Sequence, residues 1–233
     1  MILNASKISC GYEKTKIVEN CDIYLKKGQI ASIVGPNGAG KSTAMKAIFG
    51  LLPLFEGKIF FNNEDISSLK PQERVLKGMS FVPQTNNIFP SMSVEENLEM
   101  GGFIREDGIK DTINQVYDLF PILREKKYQI AENLSGGQRQ QLAFGRALMT
   151  NPIFLMLDEP SAGVSPIIMD ELFNKVQEIS KKGVSILMVE QNAKQALKIS
   201  DIGFVLTQGK NKFIDSGKKL LSNPDVRESF LGG

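Results

Sequence analysis

The chain has 233 residues, of which 42% are hydrophobic and 23% charged, and a formal net charge of +2. That length is long for one domain and short for two, so one domain with an inserted lobe is expected, and the balanced charge gives no reason to expect nucleic acid as a partner. There is no histidine, which removes Ser-His-Asp and Cys-His nucleophilic catalysis, histidine-ligated metals and imidazole acid–base chemistry together.

In chain order, the first 35 residues read as short apolar segments separated by turn residues. Residues 1–10 carry no basic leader followed by an apolar run, so no secretory signal is expected. No apolar stretch approaches the roughly 20 residues that a membrane helix needs, so a cytoplasmic chain, or one docked on a membrane through a partner, is expected. Ile17 to Leu25 and Gln29 to Val34 are strand-like, and the buried run Ile30 to Val34 ends directly on a glycine. Lys41 to Leu52 reads as a helix stopped by Pro53, and Lys58 to Phe61 as a strand with a turn at Asn62 and Asn63. Pro71 marks a helix start and Gly78 its end. From residue 85 to about 148 helical patterns dominate, over Val94 to Met100, Ile109 to Leu119 and Gln138 to Met149. This stretch is expected to form a helical lobe inserted into an α/β core made of residues 1–84 and 149–233. Ile153 to Leu157 and Val184 to Val189 then read as buried parallel strands, each followed by a helix, at Ile167 to Lys181 and Ala193 to Ile199. Phe204 to Leu206 and Lys212 to Ile214 flank Gln208–Lys210 as a hairpin. Cys10 and Cys21 are too few for a disulfide scaffold or a four-thiolate zinc site and are expected in or near the core.

Three motifs carry chemistry. Gly35, Pro36, Asn37, Gly38, Ala39, Gly40, Lys41 and Ser42 satisfy the phosphate-loop pattern, with a strand before and a helix after, and Thr43 continues the candidate binding set. Glycines let successive N–H groups face one anion, and the helix start adds a favourable dipole. Lys41 can reach the β- and γ-phosphates of a nucleotide, and the Ser42 hydroxyl can ligate Mg²⁺. The second motif is the apolar strand ending in Asp158 and Glu159: the aspartate is placed to hold Mg²⁺ through water and the glutamate to polarise an attacking water. The third is Leu134 to Gln138, which opens a helix. Ser135 makes an ordinary N-cap, but Gly136 and Gly137 in the first turn cost roughly 1 kcal/mol each relative to alanine. That cost points to a backbone that something must approach closely, and the exposed N–H groups suit a second phosphate contact.

The ordered set Gly35–Ser42, Gln84, Leu134–Gln138 and Asp158–Glu159 resembles the nucleotide-binding subunit of an ABC transporter, essentially from end to end. The resemblance implies a P-loop α/β core with a mixed sheet, an N-terminal antiparallel β subdomain and an inserted α-helical subdomain. It implies that Tyr12 stacks on adenine, that Gln84 senses Mg²⁺ and the attacking water, and that Ser161 to Val164 is the loop where two such subunits meet. It further implies a head-to-tail dimer, with ATP held between one subunit's phosphate loop and the other's Ser135–Gln138, and a helical-lobe surface at about residues 85–100 that receives the membrane partner.

Most members of that family place a histidine against the γ-phosphate at the position of Gln191, where an amide can donate a hydrogen bond but cannot carry a proton. Gln191 either keeps that contact or is merely a helix-start residue. The segment Val189 to Ala193, the Asp158–Ser161 run and the terminal residues 225–233 resemble the LivF-type ATPase of branched-chain amino acid importers, a group that includes amide and urea importers. By that resemblance the partners are a second ATPase, either the same chain or a LivG-type paralogue, membrane permease subunits and, indirectly, a periplasmic solute-binding protein. The chain would sit on the cytoplasmic face of the inner membrane. Lipopolysaccharide-type export is the alternative within transport. A soluble repair or translation ATPase is disfavoured by the lack of a coiled-coil insertion or second cassette, and a non-catalytic binding module by the intact Glu159.

Overall fold

A computed structural model describes residues 1–85 and 87–231; Gly232 and Gly233, at the end of the terminal resemblance, and Asn86, early in the expected lobe, lie outside the described residues. Strands β1 (Leu3–Tyr12), β2 (Thr15–Leu25) and β3 (Ile30–Val34) precede helix α1 (Lys41–Phe49). Strand β4 (Leu54–Phe61), the short β5 (Glu64–Asp65), helix α2 (Pro71–Leu76) and strand β6 (Met79–Val82) follow. Next come helices α3 (Val94–Gly101), α4 (Lys110–Leu119), α5 (Pro121–Glu125) and α6 (Gly136–Leu148). Among the described residues between them, only a single bridge, Ser93 to Ile130, has β character. The chain returns through β7 (Phe154–Asp158), α7 (Pro166–Lys181), β8 (Ser185–Val189), α8 (Ala193–Ile199), β9 (Ile202–Thr207), β10 (Lys210–Asp215) and α9 (Gly217–Ser222).

Two sheets result. One is antiparallel, in the order β2-β1-β4-β5; the other has the order β10-β9-β3-β8-β7-β6 and is parallel except for β10. The short central strands β3, β7 and β8 are buried throughout and mostly apolar, because the parallel sheet is covered on both faces. Side chains alternate between those faces. Phe154, Met156, Leu187, Val189 and Ile33 point into a core shared with α1 and the antiparallel sheet. Leu155, Leu157, Ile186, Met188 and Val34 point into the other core, with α6 and α7. Each fully buried side chain of this kind contributes roughly 1.5–3 kcal/mol. Cys10 and Cys21 are buried as expected, and burial pushes both thiols up to about 12.

Helix α1 ends three residues before the expected Leu52. Gly50, at φ 87, returns its N–H to Ala47 and Lys46, so the glycine rather than Pro53 stops the helix. Behind that end lies Arg74 of α2, only 2% exposed. Its guanidinium donates to the carbonyls of Ile48 at 2.6 Å, Leu69 at 3.0 Å, Ala47 at 3.2 Å and Ser67 at 3.3 Å. Burial lowers its pKa to about 10, which leaves it charged at neutral pH. A cation on the C-terminal carbonyls of α1 complements the helix dipole and fixes the helix from behind.

Candidate functional site

The parallel register brings the C-terminal ends of β3, β8, β7 and β6 to one edge of the sheet, where open α/β sheets present their ligand crevices. β3 delivers the loop Gly35–Gly40, β7 delivers Asp158 and Glu159, β8 delivers Glu190 and Gln191, and β6 delivers Gln84. A cavity of about 300 Å³ at this edge is lined by Asn37 to Thr43, Gln84, Glu159 and Gln191. Gly35 leaves β3 at φ 148, and a Cβ there would stand 2.1 Å from the Leu206 carbonyl, so the loop can start only with glycine.

Polar groups in the cavity bond one another. Lys41, 5% exposed, donates from Nζ to the carbonyls of Gly35 and Pro36, both at 3.0 Å. Burial lowers its pKa, against the pull of Glu159, Asp158 and Glu190. Ser42 Oγ donates to Asp158 Oδ1 at 2.7 Å. Burial raises the Asp158 carboxyl, opposed by Ser42, Lys46 and Lys41. Glu159 is buried and sits at φ 51, a left-handed conformation that is uncommon for a residue with a side chain and concentrates at functional positions. Its Oε2 accepts from Gln84 Nε2 at 2.6 Å and from Gln191 Nε2 at 2.7 Å. Gln191 thus bonds the Glu159 carboxylate, while Asn192 caps α8, accepting from the Gln195 N–H at 3.1 Å.

Tyr12 and Ser135–Gln138 do not line this cavity. Tyr12 ends β1 at the tip of a hairpin, 48% exposed. Ser135 caps α6 through a reciprocal box, accepting from the Gln138 N–H at 3.3 Å while Gln138 Oε1 accepts from the Ser135 N–H at 3.0 Å. The two glycines next to it differ. A Cβ on Gly136 would meet only the Gly163 carbonyl at 3.9 Å, whereas one on Gly137 would stand 2.8 Å from Ile168 Cγ2. Close approach explains Gly137 within the chain; Gly136 faces open space. Sequence reasoning missed Glu190 and Arg74, both buried charges, because a charge beside an apolar run ordinarily marks a solvent-facing end.

A glycine-rich loop between a parallel strand and a helix, with an Asp-Glu pair at the same edge of the sheet on the next strand but one, defines a P-loop nucleoside triphosphatase. The family model for ABC transporters matches residues 18–162. The branched-chain amino acid transport ATP-binding protein BraG of Pseudomonas aeruginosa is 40% identical over 233 residues, covering 100% of both chains. The probable branched-chain amino acid transport ATP-binding protein LivF of Archaeoglobus fulgidus is 38% identical over 99% of both. Among solved structures, an ATP-binding cassette of an ABC transporter in its ADP conformation superposes with a TM-score of 0.88 at 31% identity, covering 100% of this chain and 99% of that one. The chain belongs to the ABC transporter family, as one of its ATPases.

Proposed function

We propose that the chain is the ATP-hydrolysing subunit that energises a membrane importer of branched-chain or related amino acids. The observation that carries the reading is the single cavity in which Lys41, Ser42, Gln84, Glu159 and Gln191 meet the glycine-rich loop. The loop N–H groups and Lys41 bind the phosphates, and Tyr12 stacks on the adenine. Glu159 is the general base that orients and deprotonates the attacking water, with Gln84 and Gln191 holding its carboxylate. Ser42 and Asp158 are the residues that would hold Mg²⁺, with Gln84 beside them. Among the described residues no cluster of three His, Cys, Asp or Glu side chains could hold an ion alone. That donor set suits Mg²⁺, which takes one or two protein oxygens and completes its shell with phosphate and water. When bound, the ion neutralises charge on the β- and γ-phosphate oxygens.

The nucleotide is shared. Ser135–Gln138 of a second ATPase, the same chain or a LivG-type paralogue, closes over the phosphate loop, and the loop Ser161–Val164 lies at that junction. The surface of the helical lobe at about residues 85–100 receives the permease subunits. Exposed apolar side chains at Phe89 and Met100, with Phe103 and Ile104 just beyond, support a docking surface there. No helix among the described residues is long and apolar enough to cross a membrane, which fits a subunit held at the cytoplasmic face of the inner membrane by permeases, with a periplasmic binding protein selecting the solute. The relatives named for branched-chain amino acid transport favour import over lipopolysaccharide-type export.

The test is Glu159→Gln. ATP turnover should fall by about a thousandfold with ATP binding kept; full activity would show that the base is elsewhere. Uptake of labelled leucine by cells carrying the neighbouring permease genes should require this chain, and uptake that persists without it would remove the importer reading alone.

A further inference from the structure

Glu190 follows β8 directly and is 1% exposed, yet its carboxylate is met by neutral donors rather than a cation. Ser161 donates its backbone N–H to Oε1 at 3.0 Å and its hydroxyl to Oε2 at 2.8 Å, and the Gln191 N–H donates to Oε2 at 3.1 Å. Burial pushes the carboxyl up, and hydrogen bonds from Ser161, Gln191 and Asn192 pull it back toward the ionised form. Taking a carboxylate out of water with only neutral donors to fill its lone pairs is costly, so this arrangement calls for a role.

The role is given by what the two partners do. Ser161 lies two residues after Glu159, and Gln191 is one of the two side chains that bond the Glu159 carboxylate. The Glu159 N–H is itself held by the Val189 carbonyl at 2.9 Å, and the Ala162 N–H returns to the Glu159 carbonyl at 3.0 Å. We propose that Glu190 is a positioning residue for hydrolysis: it ties the turn after Glu159 to the segment carrying Gln191, and so fixes the base from both sides. Ala162 and Gly163 at the tip of that turn are exposed. Pressure on the turn from a second subunit is therefore passed through Glu190 to Gln191 and the base. The inference rests on the ATPase reading above.

The replacement Glu190→Gln keeps the shape but puts an N–H₂ group in place of one carboxylate oxygen, so one of the backbone N–H groups of Ser161 and Gln191 loses its acceptor. Its kcat for ATP should fall about tenfold or more, the loss expected when a charge-assisted hydrogen-bond network is broken. The KM for ATP should stay within about threefold, because Glu190 does not line the phosphate cavity. Ser161→Ala removes one donor and should lower kcat about threefold, with the double variant no worse than Glu190→Gln alone. An unchanged kcat in Glu190→Gln, or a parallel loss of kcat and ATP affinity, overturns the assignment. Should that variant not fold, Ser161→Ala decides: a wild-type kcat there overturns it. If wild-type chain hydrolyses ATP and Glu159→Gln does not, the ATPase reading stands whatever Glu190 does.

Discussion

Helices α1 and α6 both open on glycines, and both starts are proposed to meet phosphate, yet their ends are finished differently. At α1 the N-cap is Gly40, no side chain caps the helix and its first turn holds no acidic residue. At α6 the Ser135–Gln138 box already satisfies two backbone donors. An uncapped helix start leaves all of its first N–H groups to an anion, whereas the box at α6 leaves only those of Gly136 and Gly137 open in the free chain. The surroundings agree: the first turn of α1 is mostly buried within a bonded polar network, while Ser135 and Gly136 are exposed. Under the proposed reading, the difference makes α1 the start that supplies the binding energy for nucleotide, and α6 a surface offered to a nucleotide carried by a second subunit.

The contrast is broken most directly at α1. In Lys41→Ala the ammonium that bonds two loop carbonyls is gone. Loss of a charged donor to phosphate should weaken ATP binding by about thirty- to a hundredfold, read by titration calorimetry. Unchanged affinity would mean that α1 does not hold the phosphates. A smaller effect is expected at α6 in Gly137→Ala, where the added methyl meets Ile168 at 2.8 Å. Overpacking should cost about 1–2 kcal/mol and lower the melting temperature by roughly 2–8 °C for a chain of this size. Adding Ile168→Ala, which removes the crowding Cγ2, should restore part of the loss, and additivity of the two changes would remove the packing explanation.

Residue pattern carried more of this molecule where one physical rule acted alone. The apolar runs at β7 and β8 read correctly as buried parallel strands because four consecutive apolar residues in each fit a sheet covered on both faces. The end of α1 misread because Leu51 and Leu52 continue the apolar pattern, and only the left-handed turn at Gly50 shows where the hydrogen bonds close. Gln191 was placed near phosphate by resemblance; its bond to Glu159 depends on β8 lying beside β7, a register that no local pattern encodes. Glu190 was illegible for the same reason, since its principal partner is 29 residues away. Arg74 reads as a surface residue of a short helix until α1 is packed against it.

The finest separation of the two starts lies between neighbouring glycines of α6. Gly136→Ala adds a methyl whose nearest contact is the Gly163 carbonyl at 3.9 Å, ordinary van der Waals distance. Within the free chain that change should be neutral or stabilising by up to about 1 kcal/mol, because alanine loses less backbone entropy than glycine on entering a helix. The melting temperature should therefore hold or rise, opposite in sign to Gly137→Ala. Under the proposed reading the same methyl stands where a second subunit's phosphate must come close to the backbone, so ATP turnover should fall even as the chain becomes no less stable. A rise in stability with full turnover would show that nothing approaches Gly136, and would leave the cost of that glycine without a functional cause.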